Sequence, residues 1–138
     1  MPDDVTLNKA AIIERCVARV REEHAGEDAN LYEDITRQDS IILNIQRACE
    51  AAIDLAMHIV KKERLGVPQE SRDAFALILD AKQIEDELAK KLMKMVGFRN
   101  IAVHDYRRMN LDIVKNIVNK DLNALLDFST WALHRTDR

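Results

Sequence analysis

Apolar residues recur at intervals of three and four along most of the chain. Leu7, Ala10, Ile13, Val17 and Val20 form the first such series, which is the signature of one helical face. Thr6 or the aspartates before it can cap this helix, and Gly26 is its expected stop. Residues 30–35 read as a connection or a short helix. A longer helix is expected from Asp39 or Ser40. Its main stripe is Ile42, Ile45, Cys49, Ala52, Ala56 and Ile59, with Ile41, Ala48 and Leu55 in a second stripe beside it. So wide an apolar face suits the centre of a bundle, touched from two sides. Lys61, Lys62 and Arg64 favour its C-terminal end, and Gly66 with Pro68 should close it.

Ser71 should cap a shorter helix bearing Ala74, Phe75, Leu77 and Ile78. Ile84, Leu88, Leu92 and Met95 then form the inner stripe of a fourth, in which Gly97 is expected to mark an interruption or bend. Asn110 should cap a last helix with the face Leu111, Val114, Val118, Leu122, Leu125, Phe128 and Ala132. No useful run alternates as a strand would. The pattern predicts an all-α fold, an antiparallel bundle of four or five helices forming one domain over residues 1–138.

Composition agrees with that pattern. Hydrophobic residues are 47% and charged residues 33%, with only 3 Gly and 2 Pro, so there is material for a core and little turn chemistry. No stretch of 18 apolar residues occurs and the N-terminus has no signal-peptide pattern, which points to a cytoplasmic protein without membrane contact. Cys16 and Cys49 stand far apart and read as buried thiols. His24, His58 and His134 have no metal-ligand spacing. There is no phosphate-cradling glycine loop. Neither a metal site nor a cofactor is expected.

The chemistry concentrates in Arg99-Asn100-Ile101-Ala102-Val103-His104-Asp105-Tyr106. A guanidinium matches phosphate and stays charged, whereas an imidazole moves a proton near neutrality. Together they suffice for metal-free cleavage of RNA. His104 would take the 2′-hydroxyl proton and Arg99 would stabilise charge building on phosphate. On an ideal helix their side chains point ~140° apart. Either the chain bends near Gly97 or a second protomer completes the site, and a two-fold homodimer would also supply the missing second acid. Arg99 and Tyr106, seven apart, would share a face of a continuous helix. The net charge is −3, yet Lys90 to Arg108 holds six cations and one acid. Lys94, Arg107 and Arg108 are therefore the candidate RNA contacts. Asp105 reads as a surface group and Tyr32 as structural.

Arg-Asn-x-x-x-His-Asp-Tyr at the end of a bundle helix resembles the signature of the HEPN superfamily. The tyrosine two residues after the histidine narrows the likeness to the HepT-like toxins of HepT/MntA toxin–antitoxin pairs. The resemblance covers most of the chain. It implies a dimeric, metal-independent endoribonuclease acting on RNA, tRNA among the candidates, with Arg99 and His104 as its catalytic pair and Asn100 in support. It further implies a minimal nucleotidyltransferase antitoxin as partner, which transfers AMP to Tyr106. Two other readings stay open at this point. One is a catalytically inactive nucleotide-binding or scaffold partner of a nucleotidyltransferase. The other is a structural helical dimer in which Arg99 pairs with an acid across the interface.

Overall fold

The computed structural model describes residues 2–135, and no strand occurs among them. The helices are α1 (Asp4–His24), α2 (Ala29–Tyr32), α3 (Ile35–Glu63), α4 (Ser71–Asp80), α5 (Asp86–His104), α6 (Leu111–Asn116) and α7 (Leu122–Leu133). A 3-10 turn, Tyr106–Arg108, follows α5, and a π-helical turn, Ile117–Asp121, joins α6 to α7. The all-α bundle predicted from periodicity is the fold observed.

The 29 residues of α3 form the axis of the bundle. Helices α1, α4, α5 and α7 all pack against it. The two apolar stripes read from the sequence both go inside, with Ile41, Ile42, Ile45 and Leu55 fully buried. Ala48, Ala52 and Ala56 are buried among them, and small side chains there permit close helix approach. Phe75 of α4 meets Phe128 of α7 edge to face at 5.3 Å, and Phe128 stacks on Trp131 at 5.5 Å. Arg135 lies over the Trp131 ring at 4.5 Å and forms an ion pair with Glu63, which ties the end of α7 to the end of α3.

Helix ends follow local hydrogen bonding more than the apolar stripes. Asp3, not Thr6, caps α1, accepting from the Thr6 amide at 2.8 Å. The same carboxylate meets His58 at 2.8 Å and Lys62 at 3.0 Å on α3. These bonds hold its pKa well below the usual carboxylate range, the Thr6 amide contributing most. Helix α1 stops at Ala25 in the left-handed region, one residue before Gly26. Helix α3 starts at Ile35 under an Asp34 cap, earlier than the expected Asp39 or Ser40, and ends at left-handed Arg64. Ser71 opens α4 rather than capping it; Glu70 and Asp73 form the capping box. Asn110 caps α6 as expected, accepting from the Asp112 amide at 2.9 Å.

Gly97 does not interrupt α5, which continues through it to His104. The glycine serves a close approach instead. A Cβ at position 97 would lie 2.7 Å from a guanidinium nitrogen of Arg72. Arg72 spans from α4 to donate to the Met93 carbonyl at 3.2 Å.

Candidate functional site

The last turns of α5 carry Arg99, Asn100 and His104, and the 3-10 turn carries Tyr106, Arg107 and Arg108. Arg99 is partly buried and faces the central helix. Its guanidinium donates to Glu50 of α3 at 3.3 Å and to the Asn100 side chain at 3.2 Å. Gln46, one turn earlier on α3, donates to the other oxygen of Glu50 at 3.2 Å. Asn100 thus bonds Arg99 directly. The Nε of Arg99 is buried and has no acceptor among the described residues. An unpaired buried donor costs about 1–3 kcal/mol.

His104 is exposed in the last turn of α5 and forms no hydrogen bond or ion pair among the described residues. No hydrogen bond joins it to Arg99, as the ~140° angular separation of their positions on one helix requires. With α5 unbroken at Gly97, a bend there does not bring the two together.

Tyr106 does not share a helical face with Arg99. The helix ends at His104, and Asp105 leaves helical geometry with φ −150° and ψ 52°. The phenol instead turns to α3, where its hydroxyl donates to Asp39 at 2.5 Å. Burial and that bond push the phenol pKa up to about 12. Tyr106 is 41% exposed, so the side chain is not closed off from a partner.

A second tyrosine–aspartate bond runs in the opposite sense. Tyr32 of α2 donates to Asp112 of α6. This bond, with burial behind it, raises the Tyr32 pKa to about 12 as well. The two tyrosines of the chain therefore cross between the same two stretches, residues 32–39 and 106–112. Tyr32 thus links α2 to α6.

The cations near the motif are less free than their number suggests. Lys94 meets buried Asp121 at 3.3 Å, Lys90 meets Asp86 at 2.8 Å, and Arg108 meets Asp105 at 3.4 Å. Arg107 alone of the three candidate RNA contacts has no such partner among the described residues. Lys94 and Arg108 do share one feature. Both line a cavity of about 340 Å³ between α5 and α6, floored by Phe98, Ile101 and Ile117. An apolar floor with a cationic and amide rim is the composition of a small-ligand site.

Periodicity could not have found Glu50 or Asp39. Each lies on α3, 49 and 67 residues from its partner in the motif. Glu50 neighbours the apolar stripe that hides it, and Asp39 sits in a polar stretch where the helix was expected only to begin.

The family model described as ribonuclease HepT-like matches residues 13–130. The chain belongs to the HepT-like ribonuclease family. The mRNA nuclease HepT of Shewanella oneidensis is 47% identical over 126 residues, covering 91% of this chain and 94% of that protein. A tri-AMPylated Shewanella oneidensis HEPN toxin, solved in complex with MNT antitoxin, superposes with a TM-score of 0.90 at 44% identity. The match covers 96% of this chain and 99% of that one. A toxin–antitoxin structure with AMP-PNP matches with a TM-score of 0.91, again at 44% identity, over 96% of this chain and all of that one. As a HepT-like protein, the chain places the family's motif string at the exposed end of α5. No helix among the described residues is long and apolar enough to cross a membrane.

Proposed function

We propose that this HepT-like chain is the toxin of a toxin–antitoxin pair, a cytoplasmic endoribonuclease that cleaves RNA without a metal ion. Arg99 holds the scissile phosphate and stabilises charge on its oxygens. His104 takes or gives the proton, Asn100 steadies Arg99, and Arg107, Arg108 and Lys94 meet flanking phosphates. The chain acts as a homodimer, because one protomer turns Arg99 toward α3 and leaves His104 open on another side. Two copies in one cleft supply an acid and a base together. Exposed Val103 and Leu43, close to the motif and on α3, are apolar surface for such contact. The RNA is of the class named for the Shewanella relative, mRNA, with tRNA the other candidate. The partner is a nucleotidyltransferase antitoxin that transfers AMP to Tyr106, two residues past His104, where the added phosphate and base obstruct RNA.

One observation carries this reading. In a chain of this family, the solvent-exposed, unpartnered His104 lies one helical segment from an arginine held in place by Glu50 and Asn100. The test is cleavage of RNA by purified protein with chelator present, wild type against His104→Ala. Cleavage that survives chelation and disappears in the variant supports the reading. Cleavage retained by His104→Ala overturns the assignment of His104.

The Glu50–Arg99 ion pair favours a second reading, a nucleotide-binding scaffold with no turnover, because it occupies part of the guanidinium. Nucleotide binding with intact RNA in both proteins is the result that would select it. The acid paired with Arg99 belongs to the same chain, so the structural-dimer reading loses its motivating contact.

A further inference from the structure

A phenol is a poor nucleophile until its proton is removed. Tyr106 is held as the neutral phenol, with a pKa near 12, so only about one molecule in 10⁵ is phenolate at neutral pH. Attack on phosphorus therefore needs a base within hydrogen-bond reach of Oη. The structure supplies one. Asp39 accepts the hydroxyl proton at 2.5 Å, toward the short end of O–H···O⁻ distances. It is exposed, so a proton it receives can pass on to water. It is carried one turn inside α3, the helix against which α1, α4, α5 and α7 pack. The charged groups around the phenol are few: Asp39 faces it from α3, Arg107 flanks it unpaired, and Arg108 is tied to Asp105.

We propose that Asp39 is the general base for nucleotide transfer to Tyr106, so that the toxin itself carries half of the chemistry that silences it. This rests on the reading of Tyr106 as the acceptor. In the step, Tyr106 Oη attacks the α-phosphorus of a nucleoside triphosphate. The bond from that phosphorus to the β-phosphate oxygen breaks and pyrophosphate leaves. The phenolic proton moves to the Asp39 carboxylate. The product is an aryl nucleotide phosphodiester, with no change of oxidation state. Arg107, adjacent in sequence and without an ion-pair partner, is placed to meet the triphosphate. Tyr32 also donates to a carboxylate, Asp112, but has no free arginine beside it in sequence, which makes it an internal control.

The test follows incorporation of labelled AMP from ATP into the purified chain by its nucleotidyltransferase, with folding checked by melting temperature. Asp39→Asn keeps the size and loses the base. At pH 7 its labelling is expected to be about a hundredfold slower, the lower end of a general base's contribution. Removing Asp39 also lets the phenol pKa fall toward its ordinary value. The variant-to-wild-type rate ratio should therefore climb between pH 7 and pH 9.5, which a merely structural role would not produce. Asp39→Glu should recover part of the rate, and Asp112→Asn should label like wild type. An Asp39→Asn chain labelled as fast as wild type or faster at pH 7, with Tyr106→Phe unlabelled, overturns the role of Asp39 alone. A Tyr106→Phe chain that still takes label overturns the acceptor assignment on which it rests.

Discussion

Glu50 of the central helix and Arg99 of the motif form an ion pair at 3.3 Å, with Gln46 holding the far oxygen of Glu50. The arginine is thereby oriented before any substrate arrives. Glu50→Ala should lower kcat for RNA cleavage by about ten- to a hundredfold, the cost of a misplaced catalytic group. KM should move little or fall, because the truncation also frees the guanidinium for phosphate. Steady-state kinetics on a short RNA separate the two parameters. An unchanged kcat would mean that Glu50 does not orient Arg99.

His104 forms no hydrogen bond or ion pair among the described residues. His104→Ala should leave stability within about 0.5 kcal/mol of wild type, as for other free surface positions. Cleavage should fall by a factor of at least about 10². Thermal unfolding and an RNA cleavage assay on one preparation test both halves.

Lys94 presents a different balance. Its partner Asp121 is buried at the end of the π-helical turn, and a carboxylate left there without its cation is costly. Lys94→Ala should destabilise the chain by about 1–3 kcal/mol, while changing the salt dependence of RNA binding less than Arg107→Ala does. Denaturant unfolding and binding across a salt series distinguish a structural lysine from a phosphate contact. A Lys94→Ala chain of wild-type stability and weakened binding would mean that Lys94 serves the phosphate contact and not Asp121.

Alkaline pH should spare the tyrosines longer than usual. Both phenols titrate near 12 in the folded chain, against about 10 when unfolded. A raised pKa contributes stability that is full below pH 10 and is lost as pH rises through 12. Ultraviolet titration should show little tyrosinate at pH 10.5 in the folded protein. Asp39→Asn should bring one of the two phenols back toward its ordinary value.

The fold was legible because each long helix carries its own apolar stripe, and α3 carries two. What the stripes miss are segments where polar atoms decide. The first stretch of α3, residues 35–40, is polar, and Ile35 is 72% exposed. Its helical start is set by the Asp34 cap, which apolar spacing does not register. Gly97 signals a break in sequence, yet its reason is tertiary, the guanidinium of Arg72 lying against it. The motif residues were legible as a string, but their partners were not. Glu50 and Asp39 are ordinary acids of a distant helix until the fold sets them against Arg99 and Tyr106. The expected common face of Arg99 and Tyr106 failed because α5 stops between them, although both side chains end on α3.

The crossed tyrosines act as two stitches between residues 32–39, from α2 to the start of α3, and the segment after α5. A phenol esterified to phosphate has no proton left to give, and its new anion faces the carboxylate that used to receive it. The proposed transfer of AMP to Tyr106 would therefore cut one stitch and leave Tyr32–Asp112 to hold the seam. On that proposal the mark would be mechanical as well as chemical, because the turn bearing Arg107 and Arg108 would lose its bond to Asp39 of α3.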